Sequence, residues 1–314
     1  MPQSVLAVVG PTASGKTALS LHLAKALSGE IIAMDSMQIY RGMDIGTAKP
    51  TPQEQAVAPH HLLDVAEPGQ PFSVSDYAAL AQKAIAEIAA RDHTPILVGG
   101  TGFYLKALMY DLSLGGVKGD DAIRAMLERE AQEEGGKTRL HQRLAQVDPS
   151  TAQKLHENDV RRVIRALEVW QITGRPFSQQ EQPPPDGRYR FLLLGCDYPR
   201  ETLYRRIDAR VLQMMEDGLG REVRELLGRG VPVDSQAMQG IGYKEMAQAL
   251  QNGTPLQEAV RLIQQNTRHY AKRQLTWFRA EKQVHWLDMS QPDAAAQALK
   301  LAVEWLEEQR REQA

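Results

Sequence analysis

The sequence predicts an α/β protein in which helices flank a parallel sheet core and an all-helical segment is inserted into the chain. Short, continuously apolar runs alternate with helical segments at the start of the chain, as in parallel sheets covered on both faces. Between residues 113 and 187 this alternation stops, and a polar, helical pattern without a strand candidate replaces it. We therefore expect a core of residues 1–112 and 188–314, with residues 113–187 as a helical insertion.

The first part of the core is expected to contain three strands and two helices. In chain order these elements are strand 4–9, helix 16–27, strand 31–34, helix 74–91 and strand 95–98. Each strand is an uninterrupted apolar run, whereas the second helix has apolar residues at helical spacing. Ser73 and Asp76 predict a capping box at the start of that helix.

The remaining elements follow in the same way. They are a helical stretch over 120–173, a proline-rich linker at 182–187, strand 189–194, helices 202–227 and 255–279, and strand 284–287. Thr254 is expected to cap the helix that begins at Pro255, because proline is favoured at the first helical position. The loop that opens the insertion is expected around Gly115 and Gly116.

Composition favours a soluble protein of a reducing compartment. The chain has 314 residues, a formal net charge of −2 and one cysteine, which excludes an internal disulfide. Cys196 ends an apolar run, so a buried, inert thiol is expected there. No stretch approaches the roughly 18 apolar residues of a membrane span, and the first residues lack a signal-peptide pattern. We expect a cytoplasmic protein that does not contact membranes and is a monomer.

Residues 10–17 form a phosphate-binding motif. The segment matches G-x-x-x-x-G-K-[ST], with a strand before it and a helix after it. Its backbone N–H groups can surround phosphate oxygens, Lys16 supplies a positive charge, and the Thr17 hydroxyl is placed to hold Mg²⁺. The core is therefore P-loop NTPase-like, and on this motif alone an ATP-dependent kinase is the default. The residues expected to bind phosphate are Gly10, Thr12, Ala13, Ser14, Gly15, Lys16 and Thr17.

Basic residues are concentrated in two segments. Arg161, Arg162 and Arg165 form the first, and residues 261–282 contain six Lys or Arg residues against one acidic residue. On a nearly neutral chain such segments indicate either a defined polyanionic partner or solvated helix faces.

Further sequence blocks cover almost the whole chain. They are residues 35–50, 59–64, 98–102, 158–168, 206–210, 240–244 and 272–279. Together with the P-loop, they resemble the tRNA dimethylallyltransferases, also called isopentenyl-diphosphate:tRNA transferases. Many eukaryotic members add a C-terminal zinc finger, which this chain lacks, so it looks like a bacterial member.

The resemblance implies transfer of a dimethylallyl group from dimethylallyl diphosphate to N6 of the adenosine next to the anticodon, position 37 of tRNA. It implies Asp35 as general base, Thr101 as a second catalytic residue and Arg210 as a further diphosphate contact. The amine is a weak nucleophile that gains from a carboxylate accepting its proton, and parallel sheets have their sites at such strand ends. The residues implied to contact the anticodon stem-loop are Asp35, Ser36, Met37, Gln38, Arg161, Arg162, Val163, Ile164, Arg165, Gln239, Gly240, Ile241, Gly242, Tyr243, Lys244, Lys272, Arg273, Gln274, Trp277 and Arg279.

Three other functions compete with this one. A nucleotide or small-molecule kinase would use the same P-loop, with Asp35 as a Mg²⁺ ligand. A prenyltransferase of free adenine nucleotides would need neither the insertion nor the basic helix. A non-catalytic RNA-binding module would not need Asp35. Side by side, His60 and His61 fit no standard metal-ligand spacing, so a packing or capping role is expected for them.

Overall fold

The computed structural model describes residues 2–110, 119–180 and 187–313. The chain divides into two compact units, Met1–Leu105 with Gly187–Ala314, and Lys106–Asp186. The helical unit therefore starts earlier than the predicted boundary at residue 113. The loop predicted around Gly115 and Gly116 lies outside the described residues, as does the proline-rich linker apart from Gly187.

The larger unit is built on a six-stranded sheet in which every neighbouring pair is parallel, in the order β3-β2-β4-β1-β5-β6. The strands are β1 Gln3–Val9, β2 Gly29–Ala33, β3 His60–His61, β4 Thr94–Gly99, β5 Tyr189–Asp197 and β6 Val284–Asp288. Strand β1 pairs with both β4 and β5, and its residues from Val5 to Val9 are buried. This burial explains why the strand is a continuous apolar run.

Both units contain helices. In chain order they are α1 Lys16–Ala26, α2 Pro52–Gln55, α3 Val74–Ala89, α4 Gly102–Met109, α5 Asp121–Gln132, α6 Gly136–Val147, α7 Pro149–Ala152, α8 Val160–Thr173, α9 Arg200–Asp217, α10 Leu219–Gly228, α11 Tyr243–Asn252, α12 Leu256–Ala280 and α13 Ala294–Gln313. Among the described residues, no helix is long and apolar enough to cross a membrane.

Several apolar clusters stabilise the larger unit, and two of them are large. One joins the sheet to α1 and α13, with Leu6 and Leu194 packed against Leu23 and Ala298. The other joins α9, α10, α11 and α12 to the segment after β2 and includes Tyr40 and Met246. The smaller unit has its own core, where α5, α6 and α8 bury side chains such as Leu127, Leu140 and Leu167.

Several element predictions are confirmed, two are wrong, and some helices were not predicted. Ser73 and Asp76 form the predicted capping box. The single helix expected over 202–227 is two helices, because Gly218 adopts a left-handed φ of 105° between them. Helix α11 was not predicted at all. Thr254 does not cap α12, which begins at Leu256 after Pro255 and has no side-chain cap.

Candidate active site at the P-loop

The P-loop, residues 10–17, joins the carboxyl end of β1 to α1. Gly10 has a φ of 135°, and a Cβ there would lie 2.4 Å from the Cys196 carbonyl oxygen, so the turn requires glycine. Gly15 is the N-cap of α1, whose first turn contains no acidic residue. The orphan amides at this helix start, together with its dipole, favour an anion.

Lys16 is the cation of this loop. Its Nζ donates a hydrogen bond to the Pro11 carbonyl oxygen at 2.6 Å. Burial lowers the Lys16 pKa to about 8, the Arg210 charge adds to this shift, and Asp35 opposes it. The ammonium group therefore shares its surroundings with a second cation and a carboxylate.

Helix α9 brings two arginines to the P-loop. Arg206 donates from Nε to the Ala13 carbonyl oxygen at 2.9 Å, and its guanidinium lies 4.6 Å from the Tyr198 ring centre. Arg210 is one helical turn further along, and burial lowers its pKa, with Arg206 contributing. Arg206 was not among the predicted phosphate contacts, although its spacing from Arg210 places both on one helix face.

Asp35 follows the carboxyl end of β2, and its contacts with the described residues fall on one carboxylate oxygen. Oδ1 accepts hydrogen bonds from the Met37 amide at 2.8 Å and the Gln38 amide at 3.4 Å. Burial raises the Asp35 pKa, while the Met37 amide and the Lys16 ammonium oppose the shift. A half-buried carboxylate with a raised pKa has the properties of a general base.

Thr101 supports the segment that carries Asp35. Its Oγ1 accepts a hydrogen bond from the Ser36 amide at 3.1 Å, and its own amide donates to the Met34 carbonyl oxygen at 3.3 Å. The ends of β2 and β4 are thus joined beside Asp35. Gly99 permits this approach, because a Cβ there would lie 1.9 Å from the Met34 carbonyl oxygen.

Glu222 holds the loop that follows Asp35. Its carboxylate accepts hydrogen bonds from the amides of Asp44, Ile45 and Gly46, at 2.9, 2.8 and 3.2 Å. It also accepts one from the Tyr243 hydroxyl at 2.6 Å. No signal in the sequence indicated Glu222, which lies on α10, far along the chain from the loop.

The same loop fixes Gln38. The side-chain Nε2 of Gln38 donates to the carbonyl oxygens of Thr47 and Ala48, at 3.2 and 3.1 Å. The side-chain orientation of Gln38 therefore depends on the loop that Glu222 organises.

Most of these residues line one cleft of about 500 Å³, although Gly10, Thr101 and Glu222 do not. The predicted site residues that line it are Thr12, Ala13, Ser14, Gly15, Lys16, Thr17, Asp35, Ser36, Met37, Gln38, Arg210, Gln239, Gly240, Ile241, Gly242, Tyr243, Arg273 and Gln274. Both cations and the carboxylate that the chemistry requires thus face a single space, which has the size of a small-molecule site.

Comparison with known proteins gives the family. A family model described as IPP transferase matches residues 38–281. The chain belongs to the IPP transferase family. A relative named tRNA dimethylallyltransferase from Geobacillus thermodenitrificans is 49% identical over 94% of this chain and 94% of its own length. One of the same name from Geobacillus kaustophilus is 48% identical over 96% and 95%.

Solved structures of the family have the same fold. The full-length tRNA isopentenylpyrophosphate transferase from Bacillus halodurans is 43% identical, with a TM-score of 0.75 over 99% of both chains. A eukaryotic dimethylallyltransferase, described as acting on tRNA, is 28% identical, with a TM-score of 0.82 over 98% of this chain and 80% of that one.

Within this IPP transferase, four predicted RNA contacts have buried side chains. Val163 and Ile164 lie in the core of the helical unit, with 1% and 3% of their surface exposed. Tyr243 is 1% exposed and is bonded to Glu222. Gln274 is 5% exposed and bonds to the Thr12 amide, the Gly100 carbonyl oxygen and the Tyr270 side chain. Because these four side chains have little exposed surface in this structure, a contact between them and RNA stays a prediction.

Most other predicted RNA contacts of the larger unit have accessible surface, although Gly242 is buried. Lys244, Lys272 and Arg273 are exposed, while Trp277 is half-buried beside Gly102. Arg279 is exposed and pairs with Asp197 at 2.9 Å. Phe278, next to Trp277, is fully buried, so only one of this aromatic pair reaches the surface.

In the helical unit, two of the three arginines of the first basic segment are exposed. Arg161 and Arg162 are exposed on α8. Arg165 is half-buried and pairs with the fully buried Glu168 at 2.6 Å, and Arg124 pairs with the same carboxylate at 2.9 Å. Glu168 thus fixes two guanidinium groups in place.

His61 contacts a buried carboxylate, and Cys196 is buried as expected. His61 Nε2 lies 2.6 Å from an oxygen of the buried Glu30, which Arg91 and His93 also contact. In the described part of the chain, no group of three or more His, Cys, Asp or Glu residues could hold a metal ion. Cys196 is buried, and burial raises its pKa to about 12, so the thiol is inert.

Proposed function

We propose that the protein transfers a dimethylallyl group from dimethylallyl diphosphate to N6 of the adenosine next to the anticodon, position 37 of tRNA. Diphosphate and N6-(dimethylallyl)adenosine are the products. The observation that carries the proposal is the meeting of a P-loop and Asp35 in one cleft of an IPP transferase. The P-loop suits a diphosphate leaving group, and the carboxylate suits an amine nucleophile.

The diphosphate would lie in the P-loop. The amides at the start of α1, the Lys16 ammonium and the Arg210 guanidinium line that end of the cleft. Negative charge grows on the leaving oxygen as the bond to carbon breaks, so fixed donors and cations aimed at it lower the barrier. Burial of Lys16 and Arg210 strengthens these interactions, because water screens them less.

Asp35 would accept the proton. The N6 lone pair attacks the first carbon of the dimethylallyl group, the bond from that carbon to the diphosphate oxygen breaks, and a proton passes from N6 to the Asp35 carboxylate. The raised pKa of Asp35 makes the carboxylate a better acceptor than an exposed aspartate. Because both interactions with the described residues fall on Oδ1, Oδ2 is the oxygen assigned to the amine.

Mg²⁺ fits the same end of the cleft. Hydroxyl and carboxylate oxygens are the ligands it prefers, and Thr17 and Asp35 both line the cleft. We assign the Thr17 hydroxyl to the ion, the remaining ligands being diphosphate oxygens and water. When bound, Mg²⁺ would neutralise charge on the leaving diphosphate.

The tRNA would contact the rim of the cleft. Ser36 and Gln38 are assigned to the extruded adenine, whose removal from its stack costs on the order of a few kcal/mol. The residues assigned to the anticodon stem-loop are Met37, Arg161, Arg162, Arg165, Gln239, Gly240, Ile241, Gly242, Lys244, Lys272, Arg273, Trp277 and Arg279. A cytoplasmic, monomeric protein remains our prediction.

The test is an incubation with radiolabelled dimethylallyl diphosphate, Mg²⁺ and unmodified tRNA that carries an unpaired adenosine next to the anticodon. We expect label in the tRNA, lost when that adenosine is replaced. Parallel reactions contain AMP in place of tRNA, or ATP with small acceptors. Label in AMP alone would indicate a free-nucleotide prenyltransferase, and ATP consumption without label transfer would indicate a kinase.

A further inference from the structure

Gln274 connects the two loops that build the cleft. Its Oε1 accepts a hydrogen bond from the Thr12 amide in the P-loop at 2.9 Å. Its Nε2 donates to the Gly100 carbonyl oxygen, next to Thr101, at 3.0 Å. Thr12 and Gly100 lie far apart in the sequence, so this one side chain links the ends of β1 and β4.

The loop after β4 allows helix α12, which carries Gln274, to approach closely. A Cβ at Gly100 would lie 1.9 Å from the Gln274 Nε2, and a Cβ at Gly102 would lie 2.3 Å from the Trp277 ring. Gln274 and Trp277 are three residues apart and share a face of α12. The two glycines on either side of Thr101 therefore admit this face at contact distance.

The link continues from Gly100 to the base. Thr101 follows Gly100 directly, and its Oγ1 accepts a hydrogen bond from the Ser36 amide, which is adjacent to Asp35. On the other side, Thr12 belongs to the loop that contains Lys16. Gln274 thus lies between the group that would hold the diphosphate and the group that would accept the proton.

We propose that Gln274 is a positioning residue, which sets the separation between the P-loop and Asp35 and does not contact RNA. The inference rests on the proposed function, because this separation decides whether the amine and the diphosphate meet in a reactive geometry. A displacement of about 1 Å between reacting groups can lower a rate on the order of 100-fold. A buried amide with both ends bonded to backbone groups is suited to hold such a distance, because neither bond can be lost without leaving a buried group unpaired.

The test uses two substitutions with different chemistry. Gln274→Leu has a similar volume but removes both hydrogen bonds. Gln274→Glu keeps an acceptor for the Thr12 amide, and its second oxygen can donate to the Gly100 carbonyl oxygen only when the carboxyl is protonated. Burial raises the pKa of a carboxyl group at this position, so the protonated form is reached by lowering the pH.

We expect Gln274→Leu to lower the single-turnover rate about 10- to 100-fold at saturating tRNA and dimethylallyl diphosphate. Its tRNA Kd should stay within about twofold of wild type, because the side chain is buried. The rate ratio of Gln274→Glu to wild type should rise as the pH falls, whereas the ratio for Gln274→Leu should not change. The matched control is Gln264→Leu on the same helix, whose side chain donates to the Asp208 carbonyl oxygen at 3.3 Å, away from both loops.

An unchanged rate for Gln274→Leu, or weaker tRNA binding with an unchanged rate at saturation, would overturn the inference. A ratio of the Gln274→Glu rate to the wild-type rate that stays constant with pH would also overturn the inference. If Gln274→Leu does not fold, Gln274→Glu alone is the test. Binding of inorganic diphosphate separates this inference from the proposed function. If wild type transfers no label, weaker diphosphate binding by Gln274→Leu than by Gln264→Leu still supports the link, and equal binding refutes it.

Discussion

Replacing Tyr243 by phenylalanine should lower stability without changing RNA binding. The Tyr243 side chain is 1% exposed, and its hydroxyl donates to Glu222 at 2.6 Å. Burial and the neighbouring carboxylate raise the Tyr243 pKa well above that of free tyrosine, so the hydroxyl remains a donor throughout the neutral range. The ring and its packing are retained in Tyr243→Phe, whereas this charge-assisted hydrogen bond and a second one from the Gly46 amide are lost.

The size of the effect follows from the charge-assisted bond. A hydrogen bond to a charged group contributes about 1.5 to 3 kcal/mol, and Glu222 keeps its three backbone donors, so we expect a loss near 2 kcal/mol. Urea unfolding at pH 7 measures it, with binding of the anticodon stem-loop measured in parallel. The adjacent Lys244 is exposed, and Lys244→Ala should show the opposite pattern, with unchanged stability and weaker binding. Unchanged stability with weakened binding in Tyr243→Phe would show that the hydroxyl contacts RNA and would refute its structural role.

Two further changes test the charged residues. Arg279→Ala should weaken tRNA binding and reduce the slope of log K against log salt by about 0.7 to 0.9, the contribution of one phosphate contact; a slope equal to that of wild type would remove Arg279 from the RNA surface. Despite burial, hydrogen bonds from Arg91, His61 and His93 lower the Glu30 pKa to about 2. A carboxylate whose pKa is lower in the folded than in the unfolded protein stabilises the fold at a pH above its pKa in the unfolded protein. This stabilisation is lost as the pH falls through its pKa in the folded protein. The Tm of Glu30→Gln should therefore lie below the Tm of wild type at pH 6 and equal it near pH 2. A difference in Tm that stays constant with pH would show that the ionised Glu30 carboxylate does not stabilise the fold.

The sequence predicts the long buried strands well, because each is a continuous apolar run. It does not reveal β3, since two histidines at the sheet edge carry no apolar pattern and are fixed by pairing with β2. Gly218 illustrates a second limit. A single glycine in a helical pattern is compatible with an uninterrupted helix, and only its left-handed φ shows that the chain turns there.

At the site, local motifs predict the P-loop, whereas the resemblance supplies the roles of Asp35, Thr101 and Arg210. Glu222 and Gln274 act on the catalytic loops from distant helices, so local spacing does not predict their contacts. Val163 and Ile164 show a further limit of assigning a contiguous segment to RNA. They lie within a contiguous segment assigned to RNA, but a helix turns successive residues towards different faces, and these two point into the core.

The most direct test of the account is the single-turnover rate of Asp35→Asn with saturating tRNA and dimethylallyl diphosphate. We expect a loss of about 100- to 10,000-fold, the usual contribution of a general base, with a nearly unchanged tRNA Kd. The wild-type rate should rise with pH through an apparent pKa above the ordinary aspartate range, since the base must be ionised, and this dependence should disappear in the variant. If Asp35→Asn kept the wild-type rate and pH profile, or lost only tRNA affinity, Asp35 would not be the base.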